Sequence, residues 1–148
     1  MARRYACTGE DLSTANTTPL ELRSATTIRP RVYDFIIGTD ATPGDFATEW
    51  DLQRTTTVGS GGTAGTPQLM DPGDPAALGA FRVADTAEPT YTAAAVMLML
   101  GVNQRATFRW VAAPMGEIVL PAAANGLGVR AVTTGSAVNT NVTIHYEE

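Results

Sequence analysis

A chain of 148 residues with 44% apolar and 17% charged side chains suits one folded domain and is too apolar to be disordered throughout. The charged fraction lies below the ~25% of ordinary domains, so part of the exterior is expected to meet other subunits rather than water. Ten basic residues, all Arg, against fifteen acidic ones leave a net charge of -5, with no cationic face dense enough for nucleic acid.

The first thirty residues are rich in Ser, Thr and Asn, and hold only short strand candidates at Arg4 to Thr8 and Leu20 to Ala25. Residues 1–30 are therefore predicted to be an arm ordered by contact with a neighbour. The opening Met-Ala-Arg-Arg-Tyr-Ala-Cys has no apolar segment behind its arginines, so it reads as neither a secretory nor a twin-arginine signal. The chain is expected to be made in a cytoplasm. Its single cysteine, Cys7, precludes an internal disulfide or a Cys-based metal cluster, and its apolar-polar surroundings predict a small buried hydrophobe.

Residues 32–37 are apolar on nearly both phases, as in a central sandwich strand. In the next run, Trp50 and Leu52 share one side while Glu49, Asp51 and Gln53 take the other. The Gly-rich 58–67 segment lacks the Gly-Lys-Ser/Thr ending of a phosphate loop and reads as a flexible connection or an assembly-ordered arm. Residues 74–84 are predicted to hold the one short helix, with Asp74 as N-cap and Pro75 at N1. The run 93–102 reads as a buried strand; it is about half the length needed to span a bilayer, so no membrane partner is expected. Phe108 and Trp110 face one way on the following strand, and Arg105 and Arg109 the other. Residues 118–120, 127–131 and 142–146 complete the period-two pattern.

Turn clusters at 39–45, 71–75, 87–89, 113–116 and 124–126 punctuate these runs. Many short strands separated by turns predict an all-β, single-domain antiparallel sandwich over residues 1–148, jelly-roll-like, with an immunoglobulin-like sandwich as the alternative. Trp50, Phe108 and Trp110 are the expected core anchors.

No reactive constellation emerges. His145 falls on the outward phase of the last strand, without a nucleophile elbow near any serine. Asp40, Asp45, Asp71 and Asp74 flank turns, where Asp ordinarily caps local amides. No catalytic residue, cofactor or metal is predicted. Arg3, Arg4, Arg54, Arg105 and Arg109 are the candidate interface residues, since guanidinium groups suit contacts to another subunit's carboxylates.

The segments "EWDLQRTTT" (49–57), "DPGDPAALGAF" (71–81), "EPTYTAAAVMLMLGVNQRATFRWVAAPMGEIVLPAAANGLGVRAV" (88–132) and "TIHYEE" (143–148) resemble small virion structural proteins of tailed bacteriophages, of the capsid decoration or cement type. That resemblance implies a β-sandwich that forms a symmetric oligomer, a homotrimer in our expectation, and binds the major capsid protein on the capsid exterior. No functional residue carries over position by position. The runner-up is a tail, baseplate or fibre sandwich that binds host glycan, with Tyr33, Tyr91 and Trp110 as candidate contacts. A third reading, a two-carboxylate glycoside hydrolase, requires the four turn aspartates to converge on one cleft.

Overall fold

The structure, a computed structural model, describes residues 2–123 and 125–148. Among these residues only strands form: β1 (Arg4–Ser13), β2 (Leu20–Arg23), β3 (Arg31–Thr39), β4 (Ala47–Thr57), β5 (Thr63–Gly65), β6 (Gln68–Leu69), β7 (Ala80–Val83), β8 (Thr90–Asn103), β9 (Phe108–Val111), β10 (Ile118–Val119), β11 (Gly126–Thr134) and β12 (Val138–Glu147). No helix among them is long and apolar enough to cross a membrane.

Two antiparallel sheets carry these strands. The first runs β6-β1-β12-β3, with β9 and β10 both on the far side of β3; the second runs β5-β7-β2-β11-β4-β8. The chain crosses between sheets from β1 to β2, β2 to β3, β3 to β4, β5 to β6, β6 to β7, β8 to β9, β10 to β11 and β11 to β12. Removing the short additions leaves β1-β12-β3-β9 against β2-β11-β4-β8, the jelly-roll winding. An immunoglobulin-like sandwich would pair its first two strands in one sheet. Here β1 and β2 lie in opposite sheets, which excludes that alternative.

Period-two alternation places Tyr5, Cys7, Phe35, Ile37, Val142, Ile144 and Tyr146 of the first sheet against Leu20, Leu22, Trp50, Leu52, Leu127, Val129 and Ala131 of the second. Cys7 is fully buried, as its surroundings predict. Trp50 is a core anchor at 3% exposure, whereas Phe108 and Trp110 are only half-buried, because β9 is an edge strand and packs on the core from one side.

Four expectations need correction. Residues 4–23 are not an arm: β1 lies between β12 and β6, and β2 lies between β11 and β7. Few large apolar residues occur there, yet Tyr5, Leu20 and Leu22 fall in phase and are fully buried. No helix forms over 74–84. The amides of Leu78 and Gly79 donate to the Glu148 carboxylate at 3.0 and 2.8 Å, and the Tyr5 hydroxyl donates to the Pro75 carbonyl at 3.1 Å. Those tertiary partners take the groups a helix would have paired, and the segment runs extended into β7. The 93–102 run is a strand, but it lies at the sheet edge in β8 and is half-exposed rather than buried. The Gly-rich segment is not a loose connection either: β5 pairs with β7, Ser60 bridges Ala87, and the Gly59 and Gly62 amides are held by carboxylates.

Candidate interaction surfaces

On the first sheet, a bulge decides which side chains face out. His145 pairs with Asp34 while Tyr146 pairs with Val32, which leaves Tyr33 as the extra residue. Val32 stays in the core, and both Tyr33 and Asp34 turn to the outer face. There the Arg109 Nε and Nη2 donate to the two Asp34 carboxylate oxygens at 2.9 and 2.6 Å, and His145 Nδ1 lies 3.0 Å from Oδ2. The Tyr33 ring stacks on His145 at 6.3 Å, and the Arg4 guanidinium lies 5.8 Å from the Tyr33 centroid. Arg31 bridges Glu117 and Glu147 along the same face, at 3.2 and 3.6 Å. The result is a broad, shallow, charged surface, with Asp34 as its one deeply buried carboxylate.

The hydrogen bonds from Arg109 hold the Asp34 carboxyl below the usual carboxylate range; burial opposes them and His145 adds to them. A depressed native value means that stability from this group is complete above the unfolded value near ~3.9 and is lost as pH falls through the native one. Asp34→Asn is therefore expected to flatten the acid limb of stability below about pH 4. Urea unfolding at a series of acid pH values checks this; an unchanged acid limb contradicts it.

Over β2, the outer face of the second sheet is covered by the chain's own 58–62 segment. Glu21, in the alternating Leu-Glu-Leu-Arg of β2, points away from the core yet is 1% exposed. Its Oε1 accepts from Arg23 Nη1 at 2.9 Å and from the Thr55 hydroxyl, and its Oε2 accepts from the Gly59 amide at 3.2 Å. Gly126 makes room for this carboxylate, since a Cβ there would lie 2.6 Å from the Leu22 carbonyl and 2.9 Å from Glu21 Oε1. Beside it, Arg82 grips both Asp85 oxygens at 3.0 Å, and Asp85 accepts from the Gly62 amide at 3.0 Å. Further along β4, burial raises the Asp51 carboxyl above its ordinary value.

Of the candidate interface arginines, Arg3, Arg4 and Arg109 are exposed on or beside the outer face of the first sheet. Arg105 is exposed in the turn between β8 and β9, and Arg54 is half-buried in β4 of the other sheet. The fold thus brings Arg4 and Arg109 to one surface and leaves Arg54 and Arg105 elsewhere. The turn aspartates do not converge. Asp40 and Asp45 accept from Asn141 and Asn103, whereas Asp71 caps the Gly73 amide near Arg4. The two pairs lie at opposite ends of the first sheet, roughly 20 Å apart along β1 at ~3.3 Å per residue.

No family model matches the chain, and neither curated proteins nor solved structures return a match.

Among the described residues, no three His, Cys, Asp or Glu side chains are grouped to hold a metal ion. A space of about 10 Å³ beside Trp50, Val102 and Gln104 has room for one water. The depression of about 470 Å³ is lined by Ala2, Arg4, Met70, Asp71 and Asp74, and among the described residues no buried base or nucleophile lines it. Such surfaces suit contact with a second macromolecule over a broad area. Tyr91, one of the candidate glycan contacts, is occupied internally: its ring lies over Gly128 and its hydroxyl is 2.6 Å from the Thr18 hydroxyl. Sequence reasoning missed Asp34 and Glu21, since nothing in the alternation reveals the bulge at Tyr33 or the loop folded over β2.

Proposed function

We propose that this protein is a capsid decoration protein, a structural module that binds the outside of a phage head and stabilises it, without catalysing a reaction. The observation that supports this reading best is the outer face of the first sheet, where exposed Arg4 and Arg109 flank half-buried Tyr33 and His145 around the buried Asp34 carboxylate. The resemblance of the 49–57, 71–81, 88–132 and 143–148 segments to phage virion proteins points the same way. In this reading the major capsid protein is the partner, and repeated copies on the shell turn modest contacts into stable retention. The Arg109 guanidinium is half in water even while it grips Asp34, so it remains available to a carboxylate of the shell.

Co-sedimentation with undecorated capsids tests the reading. Saturable binding is expected, and Arg4→Glu is expected to weaken it several-fold while leaving the thermal midpoint close to that of the parent, because Arg4 is exposed and, among the described residues, ion-pairs with no buried carboxylate. Equal binding by the charge-reversed variant removes this face from the proposal; absence of binding by the parent removes the function.

One observation favours the runner-up, a tail or fibre module that binds host glycan. Tyr33 lies on an open face between Arg4 and His145, an arrangement that also suits a sugar ring. A glycan array separates the two: silence fits a decoration protein, and a signal lost in Tyr33→Ala fits the glycan reading.

A further inference from the structure

We infer that two copies of this chain pair through the outer edge of β8, antiparallel and about a two-fold axis at Met99. The inference goes beyond the capsid reading and stands without it.

The two sides of the sandwich are finished differently. On one side, residues 58–89 fold back along the body, laying β6 on β1 and β7 with β5 on β2. On the other, β8 ends the second sheet, and among the described residues no strand pairs with its outer edge. It is also the longest strand, at 14 residues. Edge strands that stay solvated usually carry a charge, a proline or a strong bulge. Residues 90–104 contain no charged residue and no proline. The bulges in β8 fall at Met97 and before Val96, where Ala94 takes a positive φ of 54°, so Leu98–Asn103 remains in register with β4 and free on its other side.

Gly101 supplies the second observation. Its φ is not positive, and a Cβ built on it would meet nothing within 4 Å. Nothing in the single chain calls for glycine there, and a glycine inside a strand weakens that strand. Close approach by another molecule accounts for it. An exposed strand edge is complementary to itself in the antiparallel sense, so a second copy is the occupant these features fit. With the axis at Met99, Leu98 lies across from Leu100 of the second copy, and the bulged Met97 falls beside the second copy's Gly101. Met97 and Met99, 42% and 61% exposed, then cover each other, and the half-buried Leu98 and Leu100 extend the core across the seam. Pairing of this kind closes with two chains, in place of the trimer expected from the resemblance.

Light scattering on the purified chain is expected to give the mass of two copies. Gly101→Lys is expected to halve that mass while the chain stays folded, because the single chain has open space at that position and Glu49 lies across the ladder from it. Met99→Cys is the sharper probe. Directly opposed strand residues lie ~4.5–5.5 Å apart between Cα atoms, within disulfide reach. Mild oxidation should therefore join nearly all Met99→Cys chains in pairs. Met97→Cys should stay unjoined, since its counterpart lies four residues away in register, roughly 13 Å. Cys7 is buried and does not interfere. A parent mass of one or three chains, a Gly101→Lys variant that remains a pair, or equal cross-linking at positions 97 and 99 overturns the inference. None of these outcomes bears on capsid binding, which co-sedimentation reads separately.

Discussion

Trp50→Ala is expected to lower the unfolding free energy by about 3–5 kcal/mol, among the largest effects of any single substitution in this chain. Trp50 is 3% exposed on the inner face of β4, where it pairs across the ladder with Ala131 and Leu100. Ala131 is small and the surrounding side chains are fixed by two sheets, so the cavity left behind has little room to collapse. Trp110→Ala is the informative control. Its ring packs on the same core from edge strand β9 and is only half-buried, so its removal should cost clearly less, about 1–3 kcal/mol. Denaturant unfolding of both variants gives the comparison. Equal losses would mean that β9 is as much part of the core as β4, contrary to the burial described above.

Glu21→Ala is the second large effect, and it arises from polar rather than apolar burial. The carboxylate is an acceptor for Arg23, the Thr55 hydroxyl and the Gly59 amide under a loop that excludes water. Removing it strips two buried donors, Thr55 and Gly59, of their acceptor, and breaking a buried pair of this kind costs about 3–5 kcal/mol. The local consequence distinguishes this variant from a simple core defect. Residues 58–62 are tied to the sheet through Gly59, so a non-specific protease should cut there first in Glu21→Ala and spare the site in the parent. Glu21→Gln keeps a carbonyl acceptor of the same reach, and should lose less stability and leave the loop protected. Protection of the loop in Glu21→Ala would show that β5 and the Ser60–Ala87 bridge hold it without the carboxylate.

These two residues also show where the sequence was legible. The Trp50–Leu52 phase, the doubly apolar Val32–Ile37 run and the alternation of Val142, Ile144 and Tyr146 follow from side chains alternating across a strand, and they are enough to place β3, β4 and β12. The jelly-roll winding follows less directly. It depends on which strands share a sheet, and alternation carries no pairing information. Misreadings arose where a distant partner overrode a local signal. Asp74-Pro75 is a sound helix start, but Glu148 and Tyr5 take its backbone groups. Glycines at 58–67 suggest looseness, yet here they let the chain lie close over Glu21 and Arg82. The alternation in β2 marks Glu21 as outward without revealing that the chain returns to cover it. The Asp34 cluster depends on a one-residue bulge, which shifts Tyr33 and Asp34 to a single face and leaves no mark in hydropathy. Arg4 and Arg109, by contrast, were legible as outward residues, and the fold brings them to one surface.

The surfaces divide the molecule by role. The second sheet's outer face is covered over β2 by the 58–62 loop, the β8 edge is bare and uncharged, and the first sheet's outer face is charged and open. Among the described residues, Asp40 and Asp45 lie at one end of the first sheet and Asp71 and Asp74 at the other, so the four turn aspartates share no cleft.

Imaging undecorated capsids by electron cryo-microscopy after mixing with the purified protein tests that account most directly. The account predicts ordered extra density on the outer shell at symmetry-related positions, fitted by the jelly roll with the Arg4–Arg109 face toward the capsid. Bare shells at saturating protein would contradict it, as would density confined to a tail.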